Sequence, residues 1–170
     1  MMRLTRIDRA AANTFIGVEH THHDGVVSDR FRVALERDGI VIGVVIAGNP
    51  IGPELGKQGC LEITRLCTTG SGGTRLLGAI ARAALSLGYR RLVSYTRCDE
   101  RGTVYRAAGW RPVAHVHGRE HSTGNRRGRW LPGIIEPATE IIDRVRWEYG
   151  PDALPESPAL AALGRRGVLP

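Results

Sequence analysis

Apolar residues fall in short runs along this chain, and the period of each run predicts an element. Residues 9–23, RAAANTFIGVEHTHH, place Ala12, Phe15, Ile16 and Val18 on one side of a first helix. HDGVVSD then breaks it. Residues 31–48, FRVALERDGIVIGVVIAG, form two β runs around Asp38–Gly39, and Asp-Gly between apolar runs signals a hairpin. The second run is apolar throughout, as a central strand would be. GNPIGPELGKQG reads as a Gly/Pro-rich loop, and CLEITRLCTT as a strand whose apolar side is interrupted by Glu62, Thr64 and Cys67.

A helix follows, with Leu76, Leu77, Ile80, Ala84 and Leu87 at helical spacing and Gly88 as its C-cap. RRLVSYT is a buried-type strand, GTVYRAAGW a short helix ended by Gly109, and RPVAHVHG a strand. Residues 119–141 are polar and basic without clear periodicity, and DRVRWEY supplies a last strand. From Gly150 the chain is Pro-rich and reads as a loosely attached tail. The order of strands and helices indicates an α+β (α/β mixed) sheet domain. Residues 1–149 are expected to form one domain, with 119–143 as a basic arm inside it and 150–170 as the tail.

Between the fourth run and its helix lie Thr68, Gly70, Ser71, Gly72, Gly73 and Thr74. Small residues at a strand-to-helix turn serve as a hinge, or expose backbone N–H groups to a phosphate at the helix start. A nucleotide-binding Walker loop needs Lys before the Ser/Thr, and none is present. The dinucleotide G-x-G-x-x-G spacing fails too.

Three features together resemble the GNAT acyltransferase superfamily: the strand, turn and helix order after an opening hairpin, the Gly70–Gly72 turn, and YRAAGW. The last gives Tyr105, Gly109 and Trp110 at the spacing of that superfamily's Tyr-x-x-x-Gly-Phe. The resemblance implies a central mixed sheet flanked by helices, with a splayed fourth strand. It also implies acetyl-CoA or another acyl-CoA as donor, held by the strand end and turn: Leu66, Cys67, Thr68, Gly70, Ser71, Gly72, Gly73 and Thr74. The turn's first position, Arg or Gln in the superfamily, is Cys67 here. Tyr105 is implied as the acid that protonates the leaving thiolate; its structural alternative is a half-buried core aromatic.

The motifs E-x-T-R-L-C, G-Y-R-R-L-x-x-Y-T and R-A-A-G-W also resemble an uncharacterised GNAT-like family of phages and mobile elements. VSYTRCDERGTVYRAAGW is similar to the Mom family of phage DNA-modification proteins. That likeness implies Ser94, Tyr95, Tyr105 and Trp110 as site wall, Arg65 on the fourth strand as a substrate contact, and a nucleobase amine in DNA as acceptor. An acetyltransferase of a small amine and a non-catalytic nucleic-acid binder are the alternatives.

Other polar residues keep two readings. Glu62 is a base for the incoming amine or a structural partner of Arg65. Asp99 and Glu100 are a base or helix-capping residues. His20 and His23, on one helical face, lack a third ligand at fixed spacing, so no metal is expected; His22 and His23 are assigned to the acceptor-pocket lip. Arg119, Arg126, Arg127 and Arg129 with Trp130 match a phosphate-tracking loop with a stacking aromatic, or a plain basic loop.

Composition narrows the partners. The 170 residues are 42% hydrophobic, enough for one domain with a core. A net charge of +7 points to an anionic partner, DNA first and RNA second, or a phosphate-rich cofactor; an Arg-rich genome is the alternative source. Three scattered cysteines fit reduced thiols in the cytoplasm. No run is long enough for a membrane span or a secretory signal. The oligomeric state, a dimer included, is left open.

Overall fold

The computed structural model describes residues 1–19, 25–118 and 142–161. Seven strands form one sheet: β1 (Met2–Thr5), β2 (Phe31–Arg37), β3 (Ile40–Gly48), β4 (Leu61–Thr68), β5 (Leu92–Arg97), β6 (Arg111–Val116) and β7 (Arg144–Tyr149), in the order β1-β2-β3-β4-β5-β7-β6. Among the described residues the helices are α1 (Arg9–Glu19), α2 (Pro53–Lys57), α3 (Gly73–Ser86), α4 (Thr103–Ala107) and, after the last strand, α5 (Pro158–Ala161). The expected mixed sheet is present.

Alternation along the strands sends two sets of side chains to opposite faces. On one face Leu35, Val45, Leu61, Ile63 and Leu92 pack against Leu76, Leu77 and Ile80 of α3, with Tyr105, Trp110 and Trp147. On the other, Ala34, Val44, Ile46 and Cys67 pack against Ala12 and Ile16 of α1, and Val93 against Leu55 and Cys60. The 14-residue α3 is amphipathic along its length, which explains why its period was readable. The five-residue α4 is too short to hold by propensity, and its buried Tyr105 anchors it.

Five of the six pairings between neighbouring strands are antiparallel. The exception decides the architecture. β4 and β5 run parallel and pair only at Leu61–Leu92, Glu62–Val93 and Ile63–Ser94. Beyond Ile63, β4 stays with β3 while β5 continues with β7 through Arg97–Arg144. The two strands therefore diverge into a wedge whose apex is the Ile63–Ser94 pair. The splayed fourth strand is present.

Several expectations change. β1 was not foreseen, and the Gly/Pro-rich loop contains α2; the first helix is present over Arg9–Glu19, and the rest of its expected span lies outside the described residues. The C-terminal segment is not loose as far as Ala161. Leu160 is buried in the α3-side core, Arg90 makes a bidentate pair with Asp152, and Ser157 N–H donates to the Pro112 carbonyl. Proline spacing hid this docking, because a short helix held by one buried leucine leaves no periodic signal.

Candidate active site

The wedge collects the polar chemistry of the sheet, and a β-bulge helps to sort it. Ile46 pairs with Arg65 and Ala47 with Ile63, so Thr64 is an extra residue in β4. That extra residue resets the alternation. Leu66 packs towards α3 and Cys67 towards α1, leaving Arg65 on the same face as Glu62. The Arg65 guanidinium donates to the Thr64 carbonyl at 2.7 Å.

On the α3 face, Tyr105 is 8% exposed and its hydroxyl lies 2.8 Å from Ser94 Oγ. Ser94 Oγ in turn lies 3.2 Å from the Ile63 carbonyl, the last residue of β4 paired to β5. Trp147 stacks on the phenol ring and Trp110 meets it edge-on, with centroids 5.5 and 5.6 Å away. Burial pushes the Tyr105 hydroxyl up to about 12, opposed by the hydrogen bond it shares with Ser94.

On the α1 face, Glu62 is buried and its carboxylate accepts the Ile51 N–H at 3.0 Å. Burial raises its pKa; the Ile51 bond and the charges of Arg144 and Arg65 oppose the rise. Tyr95 is half-buried on this same face. Burial, then the charge of Glu62, raises its pKa, while Arg146 opposes and hydrogen-bonds it. Ser94 and Tyr95, adjacent in sequence, thus serve opposite faces of the sheet. Glu148 lies beneath this cluster, fully buried, and takes two hydrogen bonds from Arg91 at 2.9 and 2.6 Å and one from Leu154 N–H.

At the open end of β4 the turn is folded by Thr68 Oγ1, which donates to the Gly70 carbonyl at 3.0 Å. Gly72 caps α3 with φ 126°, and a Cβ there would come within 2.3 Å of Leu35 Cδ2. Gly73 lets Val104 of α4 approach, which ties the start of α3 to the helix carrying Tyr105. No side chain caps α3 and no acid stands in its first turn. Its first N–H groups are therefore left for an outside acceptor. Ser71 and Thr74 are exposed beside them, and Arg37 Nη2 lies 3.4 Å from Ser71 Oγ.

Cys67, expected among the cofactor contacts, has its side chain buried against α1. Arg37 and the exposed Arg75 supply positive charge at the turn instead. Ser94, expected among the substrate contacts, has its hydroxyl hydrogen-bonded to Tyr105 and Ile63. Asp99 and Glu100 stand exposed in the turn after β5 and are engaged with Arg97: its guanidinium reaches Asp99 at 2.8 Å, and its N–H reaches Glu100 Oε2 at 3.1 Å. Neither caps α4, whose N-cap is Gly102 without a side-chain bond. Sequence reasoning missed Arg146, Trp147 and Glu148, although the alternation in RVRWEY separates them by face. His22, His23, Arg126, Arg127, Arg129 and Trp130 lie outside the described residues.

No protein-family model matches the chain, and no curated protein matches its sequence. Its structure is similar to solved acetyltransferases. An IAA acetyltransferase from Bacillus cereus ATCC 14579 superposes with TM-score 0.60 at 18% identity, covering 88% of this chain and 99% of that one. The ribosomal-protein-S18-alanine N-acetyltransferase from Escherichia coli gives 0.62 at 10% identity, covering 92% and 98%. A GNAT family acetyltransferase from Elizabethkingia anophelis with acetyl-CoA bound gives 0.57 at 14%, covering 88% and 97%. With its wedge between β4 and β5, this chain has the fold of the GNAT acetyltransferases.

Proposed function

We propose that this protein is an N-acyltransferase that uses acetyl-CoA, or another acyl-CoA, to acylate an amine. The observation that carries this reading is the wedge itself, with a buried acid–base pair on opposite faces and an uncapped helix start at its mouth. The cradle fits a pyrophosphate: free helical N–H groups, no acid in the first turn, and Arg37 and Arg75 nearby. Arg65 to Thr68 of β4 pair with β3 and have no β5 partner, so the backbone edge they turn away from β3 is available to an extended ligand arm. Bound acyl-CoA would supply the activated acyl thioester.

The chain's own groups divide the remaining work. Glu62, with its raised pKa, takes a proton from an ammonium or amine approaching from the α1 face. Tyr95 and Arg146 flank it and orient the acceptor. Tyr105 keeps its proton at Oη throughout the physiological range and presents it at the apex from the opposite face. Trp110 and Trp147 exclude water around that hydroxyl.

Two proteins of similar fold are named as an IAA acetyltransferase and a ribosomal-protein-S18-alanine N-acetyltransferase. That favours a small or peptide amine over a nucleobase as acceptor. The nucleobase reading rests on the net charge of +7 and on Arg126, Arg127, Arg129 and Trp130. One assay separates the readings: release of free CoA from acetyl-CoA, measured with a panel of amines, with DNA and with RNA. Turnover on amines without nucleic acid supports the proposal. Turnover only with DNA, accompanied by a modified nucleoside in mass spectrometry, supports the nucleobase reading. Nucleic-acid binding without any turnover or CoA binding supports the non-catalytic one.

A further inference from the structure

A second cluster of ligating side chains lies at the other edge of the sheet, outside the wedge. His115 and His117 stand two residues apart at the end of β6, so in extended chain they project to the same side. Asp143, the residue before β7, faces them. Its Oδ2 lies 3.2 Å from His115 Nε2 and 3.2 Å from His117 Nδ1. Its Oδ1 accepts the Gly118 N–H at 2.8 Å, and its own carbonyl accepts the Cys98 N–H at 3.0 Å. Asp143 is thus fixed from two directions with one oxygen left for the imidazoles.

The three donor atoms all lie within 4.8 Å of one another. Tetrahedral zinc, with bonds of about 2.0–2.2 Å, spaces neighbouring ligands by roughly 3.3–3.6 Å, so only a small inward adjustment separates this arrangement from a coordination sphere. Two imidazoles and one carboxylate suit zinc and its first-row neighbours rather than calcium or magnesium, which prefer oxygen alone. The hydrogen bond to Oδ1 is the outer-sphere support that orients a ligating carboxylate.

We propose that His115, His117 and Asp143 bind one divalent first-row transition ion, of which zinc is the type, with a fourth position open to water. The ion clips the end of β6 to the start of β7. The expectation of no metal weighed residues 20–24 and the cysteine spacing; this cluster brings His117 to Asp143, 26 residues away along the chain, and has no sequence motif. It does not depend on the acyl-transfer reading.

The test uses the full, untagged chain stripped with a chelator and titrated with zinc chloride in a calorimeter, then with cobalt chloride while recording the visible spectrum. One equivalent should bind, and cobalt should give the intense bands of a tetrahedral site. His115→Gln with His117→Gln should weaken zinc by more than about 100-fold, beyond the 10–100-fold usual for an outer-sphere loss. If that double variant melts early without metal, His117→Gln alone serves, since the His117 side chain is 82% exposed. A variant with His20, His22, His23 and His121 all changed to Gln should bind as the unaltered chain does. No binding by the unaltered chain, binding that survives the His115/His117 change, or binding lost only with the other four histidines would overturn the proposal. Unaltered CoA release in the double variant is expected in every case where the ion is structural.

Discussion

Tyr105 donates its hydroxyl hydrogen to Ser94 Oγ across 2.8 Å, because Ser94 directs its own hydrogen to the Ile63 carbonyl at 3.2 Å. The phenol's proton is therefore stored at the apex of the wedge, where β4 and β5 part. A hydroxyl with a pKa of about 12 acts best as a hydrogen-bond donor that yields its proton only late in the reaction.

Tyr105→Phe keeps the stacking on Trp147 and removes only that proton. Turnover should fall by about 10²-fold, the low end for a general acid, given the poor match between pKa 12 and neutral pH. Stability should fall by only about 1 kcal/mol, as for one hydrogen bond. Ser94→Ala should cost a similar amount, and the double variant should show about 1 kcal/mol of coupling in denaturant titrations. Wild-type turnover in Tyr105→Phe would remove the tyrosine from the chemistry.

Glu62 gives a prediction with a pH sign. Burial raises its pKa above the model-compound value of 4.5 in the folded chain. The relative stability it confers is fully present below about pH 4.5 and is lost as pH rises through the folded value, because the ionised form is desolvated. Glu62→Gln still accepts the Ile51 N–H and carries no charge. It should melt at or above the unaltered protein at about pH 8, with the difference fading near pH 4. Its turnover should fall steeply, and the acid limb of the pH–rate profile should vanish. An unchanged acid limb would show that another group takes the proton.

The fold was legible where periodicity was strong, in β3, α3 and β5, each long or uniformly apolar. It was illegible where single contacts decide: β1, α2 and the docked α5. At the site, Tyr105 and Glu62 could be named from their strand and helix positions, but the placement of Arg65 on the face of Glu62 depended on the Thr64 bulge. A one-residue bulge reverses alternation without any composition signal. Arg37 and Arg75 escaped notice for another reason. Arg37 reaches the turn from β2, 34 residues away from Ser71 along the chain.

Glu148 should matter for stability rather than for chemistry. It is fully buried, with Arg91 bidentate upon it and Arg146 Nε 3.1 Å from Oε1. Glu148→Gln leaves those guanidinium groups without their counter-charge. Breaking a buried pair in this way costs about 3–5 kcal/mol. The exposed Arg90–Asp152 pair is the control, and Asp152→Asn should change denaturant midpoints little. Equal effects at the two sites would mean that the Glu148 cluster is as well solvated as the surface.

The turn before α3 allows a test in which stability and binding move in opposite directions. Gly72→Val would be a poor probe, because its Cβ would strike Leu35 and unsettle the core. Thr74 is exposed in the first turn of an uncapped helix that has no acid near its start. Thr74→Glu adds a negative charge where the dipole favours one, worth about 0.3–1 kcal/mol of added stability. The same charge competes with a pyrophosphate for the free N–H groups of α3 and repels it. Melting temperature should therefore rise slightly while the Kd for CoA weakens by about tenfold, equivalent to roughly 1.4 kcal/mol. Because the folded state is stabilised, lost binding cannot be ascribed to damage. Raising the ionic strength should shrink the difference, as screening weakens the repulsion. If CoA binds Thr74→Glu as tightly as the unaltered chain, the turn is a hinge and its glycines serve packing alone.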